Sequence, residues 1–353
     1  MAREGIDTVR LQECITRYRD AIPELAEFAG ASATDSLTSL IECYEQCYPL
    51  LEKALWSNQW SGGPDFEALL DCYQSLFREQ DVLVRQQADA GGTKDERYHF
   101  ILSIPVADRP PHLRACLESI HQACRLFGYG GNHSGVYQRI RVIVAEDSRE
   151  EQNIEQHIEL VEEYQRKGIQ VIHFGLDEQY ALLHSVPEDD RKQLGHVLTT
   201  QAKDRFFLKG QAANRNLSVL KCLQLTEDKD RTLYYFVDSD ESLCVNRLTG
   251  AGAQAVYALN YFHYIDKAFR SADTLLLTWK MVGDPPVSPA VMAANFLDDV
   301  IAFFTDLAQM RGDEGCRFHD LSQQSSAAQS SGAIYHDMAG LFGFENNNST
   351  FPY

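Results

Sequence analysis

The sequence predicts an α/β fold, a mainly parallel sheet with helices on both faces, preceded by an N-terminal helical region. Three observations predict it. Short apolar, β-rich runs recur at YHFILSI (98–104), RIRVIVA (139–145), IQVIHF (169–174), TLYYFVD (232–238) and DTLLLTW (273–279). Amphipathic segments separate them, the clearest being Leu113, Cys116, Leu117, Ile120 and Cys124. Strands that are apolar throughout and alternate with such segments belong to a sheet covered on both faces. Before about residue 88 the apolar period is helical alone.

The elements follow in order. From Leu11, apolar residues at Ile15, Tyr18, Ile22 and Leu25 mark one helical face, which Pro23 kinks or restarts. Leu37, Leu40, Ile41, Tyr44, Tyr48 and Leu51 form a second face, and Phe66, Leu69, Leu70, Tyr73, Leu76 and Phe77 a third, with Asp35 and Asp65 as expected N-caps. ADAGGTKDE, from Ala88 to Glu96, lacks any apolar period and suits a linker. Two domains are therefore expected, residues 1–95 and 96–353. The helices' apolar faces would pack on the second domain or on another copy of the chain, a possible homo-oligomer. Within the second domain, the polar stretch between His173 and Lys209 exceeds a usual connection and is expected to be a helical insertion or a flap.

Composition narrows the function. The chain has 353 residues and a formal net charge of -19, so its field repels nucleic acid and anionic membranes. A phosphorylated ligand would need local cations or a metal. Cysteines at 14, 43, 47, 72, 116, 124, 222, 244 and 316 show no disulfide-scaffold or zinc-ribbon spacing, and reduced, buried thiols are expected. The start, MAREGIDTVRLQEC, lacks secretory-signal features, and the most apolar stretch, AVMAANFLDDVIAFF, carries Asp298 and Asp299. A cytoplasmic protein without a transmembrane segment is expected.

The chemistry concentrates at strand ends. In FVDSDE an apolar strand ends in Asp238 and Asp240, and alternate residues of an extended chain face one way, toward a single hard cation. Helix capping and solvated loop charge are the competing explanation, as for Asp228 and Asp230 in a charged turn. The first strand ends in SIPVADRPPHLRACLESI, where Pro105 stops the strand and Arg109 precedes a helix opened by Pro110 and Pro111. The second ends in VIVAEDSRE, placing Glu146, Asp147 and Ser148 to accept a base or ribose hydrogen bond. KGQAANRNLSVLKC sets Lys209 and Arg215 beside a helix N-terminus, with Gly210 permitting close backbone approach.

Taken in order, SIPVADRPPHLRACLESI, VIVAEDS, QAANRNLSV and FVDSDE resemble the family 2 inverting glycosyltransferases and their relatives with the Rossmann-like GT-A fold, over roughly residues 99 to 345. The resemblance implies that Pro105 and Asp147 border the nucleobase and ribose. It further implies Arg215 near the donor sugar or diphosphate and a Mn2+ or Mg2+ ion flanked by Asp238 and Asp240, the DxD motif. SSGAIYHDMAGLFGF (330–344) is similar to the family's acceptor-site segment, but the acidic pair that supplies its general base does not follow in ENNNSTFPY. Either the base lies elsewhere, with Asp337, Asp320 and Glu345 as substitutes, or the reaction retains anomeric configuration and needs none; His319 or His336 would complete the metal shell or be a surface or hydrogen-bonded core histidine. The loop and helix of KMVGDPPVSPAVMAANF (280–296) would shape an acceptor pocket or simply pack.

The expected function is transfer of a sugar from a nucleotide-diphosphate donor to an unidentified acceptor hydroxyl. Two rivals stand beside it. A sugar nucleotidyltransferase would share the sheet and metal carboxylates, but it usually has a glycine-rich loop after the first strand, and SIPVADRPP has none. A non-catalytic, degenerate transferase fold would act as a binding module, with the N-terminal helices as its interaction surface.

Overall fold

The computed structural model describes residues 8–32, 35–57, 64–91, 95–249 and 252–278, together with Ile301 and Thr305. The chain divides into two compact units, Met1–Leu277 and Thr278–Tyr353. Of the second, Thr278, Ile301 and Thr305 are described, and the Thr305 hydroxyl donates to the Ile301 carbonyl.

In the first unit, α1 (Val9–Tyr18), α2 (Leu37–Leu55) and α3 (Pro64–Gly91) form the helical part. Pro23 opens a separate 3-10 turn, Pro23–Phe28, so the first helical face is restarted there. The caps differ from expectation. Ser36, whose hydroxyl accepts from the Ser39 amide, caps α2, while Asp35 accepts from the Ser32 amide and Asp65 lies inside the first turn of α3. A short hydroxyl suits this geometry as well as a carboxylate. α3 runs on through Gly91, so the first part of the expected linker is helical.

The sheet consists of β1 (His99–Val106), β4 (Ile140–Glu146), β5 (Gln170–Phe174) and β6 (Thr232–Phe236), all parallel, in the order β5-β4-β1-β6. A two-residue hairpin, β2 (Asn132–His133) with β3 (Val136–Tyr137), precedes β4. An antiparallel ribbon, β7 (Val245–Thr249) with β8 (Gly252–Val256), follows β6 and has no counterpart in the sequence-based expectation. The run at 273–279 is not a strand over its described part: Leu275 and Leu276 are 91% and 80% exposed, and Leu277 alone packs on the core. An apolar run becomes a strand only where a neighbour offers a ladder, and β6 has no second strand neighbour among the described residues.

Helices cover both faces. α4 (Pro110–Phe127), α5 (Glu151–Arg166) and α9 (Tyr261–Ser271) cover one, around Phe100, Leu102, Ile104, Val142 and Val144. α6 (Leu176–Ser185) and α8 (Gly210–Leu225) cover the other, around Ile101, Ile143, Ala145 and Phe174. The long connection after β5 is the expected helical insertion, made of α6, α7 (Glu188–Leu194) and a 3-10 turn, Lys203–Leu208. α1 to α3 share a core with Phe127 of α4 and with Val256 and Ala258, so their apolar faces pack on the α/β part of the same chain.

Cys14 of α1 and Cys72 of α3 are joined by a disulfide, which corrects the expectation of reduced thiols throughout. Their Cα atoms lie 6.0 Å apart although 58 positions separate them in sequence, so helix packing rather than spacing creates the pair. Cys43, Cys47, Cys116, Cys124 and Cys222 are buried free thiols, and Cys244 is half-buried. No helix among the described residues is long and apolar enough to cross a membrane.

Candidate functional site

The chain steps outward from β1 to β4 to β5 and then returns to place β6 on the other side of β1. Loops leaving β1 and β6 therefore diverge, and parallel sheets open a ligand crevice at such a reversal, beyond the strands' carboxyl ends. Arg109 follows β1 here, and Asp238 and Asp240 follow β6.

β6 ends at Phe236, so the two aspartates are not on extended chain as expected. The Glu241 amide donates to the Asp238 carbonyl at 3.0 Å, and the segment is a turn. Two side chains of α4 hold it from below. The Cys116 thiol donates to the Asp238 carbonyl at 3.8 Å, and the Ser119 hydroxyl accepts from the Leu243 amide at 3.1 Å. Burial pushes the Cys116 thiol up to about 12, and the charges of Glu241, Asp240 and Asp238 add to it. Burial likewise raises Glu241, with repulsion from Asp238 and Asp240 contributing in the same direction. Negative charge is thus concentrated in this turn.

Two arginines answer it. Arg215 of α8 pairs with the Asp238 carboxylate, and Arg109, the N-cap residue of α4, lies 4.0 Å from Asp240. All four side chains are substantially exposed, Arg109 and Asp240 to 60% and 58%. Among the described residues no three His, Cys, Asp or Glu side chains converge as a metal site.

The residues after β4 form a second, closed cluster. Glu146 is fully buried; one carboxylate oxygen accepts from the Asp147 and Ser148 amides at 3.0 and 2.8 Å, and the other meets His157 at 2.8 Å and His173 at 3.2 Å. Burial opposes its ionisation, but these hydrogen bonds prevail and hold its carboxyl well below the usual range. Its oxygens are occupied, so Glu146 shapes the turn and is not available to a nucleotide. Lys209, also fully buried in its side chain, donates to Asp147 at 2.6 Å and to the Glu146 carbonyl at 3.1 Å. Burial lowers Lys209 and raises Asp147, each opposed by its partner. Lys209 therefore anchors the turn from the foot of α8 rather than standing free for phosphate. Pro105 does not stop its strand; it is buried within β1, opposite Ala145, above the last residue that β6 pairs, Ser103. Its missing N–H is tolerated where one ladder has ended.

Asp108 is the residue that motif reasoning missed. Its backbone is left-handed, φ 49°, and its carboxylate accepts from the Arg149 and Glu150 amides and from the Asn153 side chain at 3.0–3.3 Å. Its own amide donates to the Ser148 hydroxyl at 2.8 Å, so the loops after β1 and β4 are latched together. The only available signal is its type, since Asp tolerates positive φ better than most residues. Burial disfavours its ionisation, but the bonds from Asn153, Glu150 and Arg149 together outweigh it and hold its carboxyl below the usual range. Its contribution is therefore present above the ordinary value near 3.8 and is lost as pH falls through the lowered folded value. Asp108→Ala is expected to cost about 1–2 kcal/mol at pH 7, and less in acid. Urea melts at pH 7 and at pH 3 check this; equal penalties at both would remove the carboxylate as the cause.

The structure thus brings Arg109, Arg215, Asp238 and Asp240 together and assigns Glu146, Asp147 and Lys209 to turn construction. Asp337, His319 and His336, with Asp320 and Glu345, lie outside the described residues. No protein-family model matches the chain, and no curated protein or solved structure matches it.

Proposed function

We propose that the chain is a metal-dependent glycosyltransferase with a GT-A-type fold, taking a sugar from a nucleoside-diphosphate donor to an acceptor hydroxyl. One observation carries the reading: the Asp238 and Asp240 carboxylates meet Arg109 and Arg215 at the sheet's reversal point. Two carboxylates with substrate phosphates are a common donor set for Mg2+, and their hard oxygens suit Mn2+ equally. Asp238 and Asp240 fit that role as the ion's protein ligands. The ion, when bound, supplies Lewis-acid charge against the leaving diphosphate.

The chain's own residues do the rest. Arg109 and Arg215 present fixed guanidinium forks suited to phosphate oxygens. Cys116 and Ser119 hold the aspartate turn in place, and preorganisation of that kind avoids reorganising charge during transfer. In this reading Asp147, held in its turn by a charge-assisted hydrogen bond from Lys209 and 12% exposed in its side chain, keeps a carboxylate oxygen for the ribose. An inverting reaction also needs a carboxylate to take the acceptor's proton.

A second reading has one specific support. Both aspartates are already paired with arginine, as suits a binding module derived from a transferase fold. A thermal-shift panel separates the two. UDP, GDP, CDP, TDP and their sugars are each tested with and without Mn2+ and Mg2+, and bound ligand raises the melting temperature. Transfer predicts a metal-dependent rise with one nucleotide class, and release of free sugar or nucleoside diphosphate. No shift with any would discard the transferase.

A further inference from the structure

Arg109, Asp240, Asp238 and Arg215 make two ion pairs at one rim of the crevice, two positive charges against two negative. A divalent cation arriving alone meets carboxylates already neutralised and two guanidinium groups that repel it. A diphosphate arriving alone meets guanidinium groups already engaged and two carboxylates, with Glu241 behind them, that repel it. The pair arriving together meets neither obstacle. Each aspartate would then exchange an arginine for the cation and each arginine a carboxylate for a phosphate oxygen, with the two negative charges of a nucleotide-sugar diphosphate balancing the cation.

We infer that the Arg215–Asp238 pair is a gate that makes metal and nucleoside diphosphate bind as one unit, each excluding itself when the other is missing. The inference rests on the nucleotide-sugar reading of this site. Arg215 is chosen over Arg109 because its contact with Asp238 is the closer, and because Asp238 is held in place by Cys116 through its carbonyl. Opening the pair moves the guanidinium and leaves the aspartate backbone where α4 fixes it. Both partners are about 40% exposed, so the guanidinium can swing into solvent without unpacking a core.

The coupling is reciprocal, since whatever factor the diphosphate adds to metal affinity the metal must add to diphosphate affinity. Arg215→Gln breaks the gate with opposite effects on its two halves. Mn2+ alone should bind about five-fold tighter, the upper range for release of a half-exposed ion pair. UDP or GDP with saturating Mn2+ should bind about tenfold weaker, through loss of a charge-assisted phosphate contact. Arg215→Lys, which keeps the charge, should stay near wild type for Mn2+ alone.

Mn2+ titration followed by electron paramagnetic resonance, with and without UDP or GDP, reads both quantities on the full chain, and a thermal melt confirms that each variant is folded. Tightening of the metal with weakening of the nucleotide supports the gate. Unchanged affinity for Mn2+ alone, or parallel weakening of both ligands, overturns it while leaving the site's identity intact. A wild-type chain that binds no Mn2+ even with a nucleoside diphosphate removes the gate and the transferase reading together.

Discussion

Asp240→Asn is expected to lower metal-dependent donor turnover by about 100-fold or more, on the order of a single transition-state stabilising group, while leaving the fold in place. The two halves of that expectation have separate causes. Asp240 is 58% exposed and its ion pair with Arg109 is long, 4.0 Å, so its loss costs stability little. Its proposed role is electrostatic: an amide keeps the shape and one oxygen but not the charge that holds a divalent ion against a diphosphate. The substitution also reports on the turn itself. Asp240 is one of the two charges that, after burial, raise the Glu241 carboxyl, so the variant should bring Glu241 down toward its ordinary value. Carbon-detected NMR titration reads that shift without donor or metal. Full turnover in Mn2+ buffer would count against the proposed chemistry. An unmoved Glu241 would show that the aspartate does not face its neighbours as described.

Much of this arrangement was legible in the chain, and the illegible parts share a cause. Strands β1 and β4 are apolar over consecutive positions because both faces are covered, and β5 and β6 carry the same pattern toward the sheet's edges, where Tyr234 and Phe236 stay exposed. Residues 273–279 carry the same pattern, but a strand also needs a neighbouring backbone, which a local window cannot supply. The site divides in the same way. Arg109, Asp238 and Asp240 follow element ends that period and proline punctuation mark well, and Arg215 lies in the second turn of α8. Glu146 and Lys209 occupy equally suggestive places, yet Glu146 is occupied by His157 and His173, from 11 and 27 positions away, and Lys209 by Asp147, 62 positions away. Whether a carboxylate or ammonium group is free or already satisfied depends on those distant partners. Asp108 shows the converse, a residue with no motif whose importance comes from φ and from amides about 40 positions later.

The join between helices and sheet is where stability should be most sensitive. Asp81 of α3 is nearly buried, its side chain 5% exposed, and accepts from Arg97 at 2.6 Å, Arg85 at 2.9 Å and the Gly130 amide at 2.8 Å. Arg97 also grips Asp95 at 2.7 Å, and Arg139 joins that carboxylate at 2.9 Å. Gly130 completes the cluster with φ 75°, where a Cβ would come within 2.4 Å of the Arg139 side chain, so the backbone approach requires glycine. Burial works against the Arg97 charge, but Asp95 and Asp81 outweigh it and raise the guanidinium above its ordinary value. Removing Asp81 leaves a buried cation short of a partner and a buried amide without an acceptor. Asp81→Ala is expected to cost about 3–5 kcal/mol, a large part of a domain's usual 5–15 kcal/mol, roughly speaking. Asp81→Asn keeps an acceptor for Gly130 and should cost less. Urea denaturation followed by far-ultraviolet circular dichroism and by tyrosine fluorescence tests more than the magnitude. Because α1 to α3 share a core with Phe127, Val256 and Ala258, both probes should report one transition in the wild-type chain. If the helices instead melt first and the sheet keeps its own midpoint in Asp81→Ala, the network is the bond between two separately stable bodies. A penalty under about 1 kcal/mol with a single transition would mean that the apolar core alone holds them together and that the charges contribute only what a surface pair does.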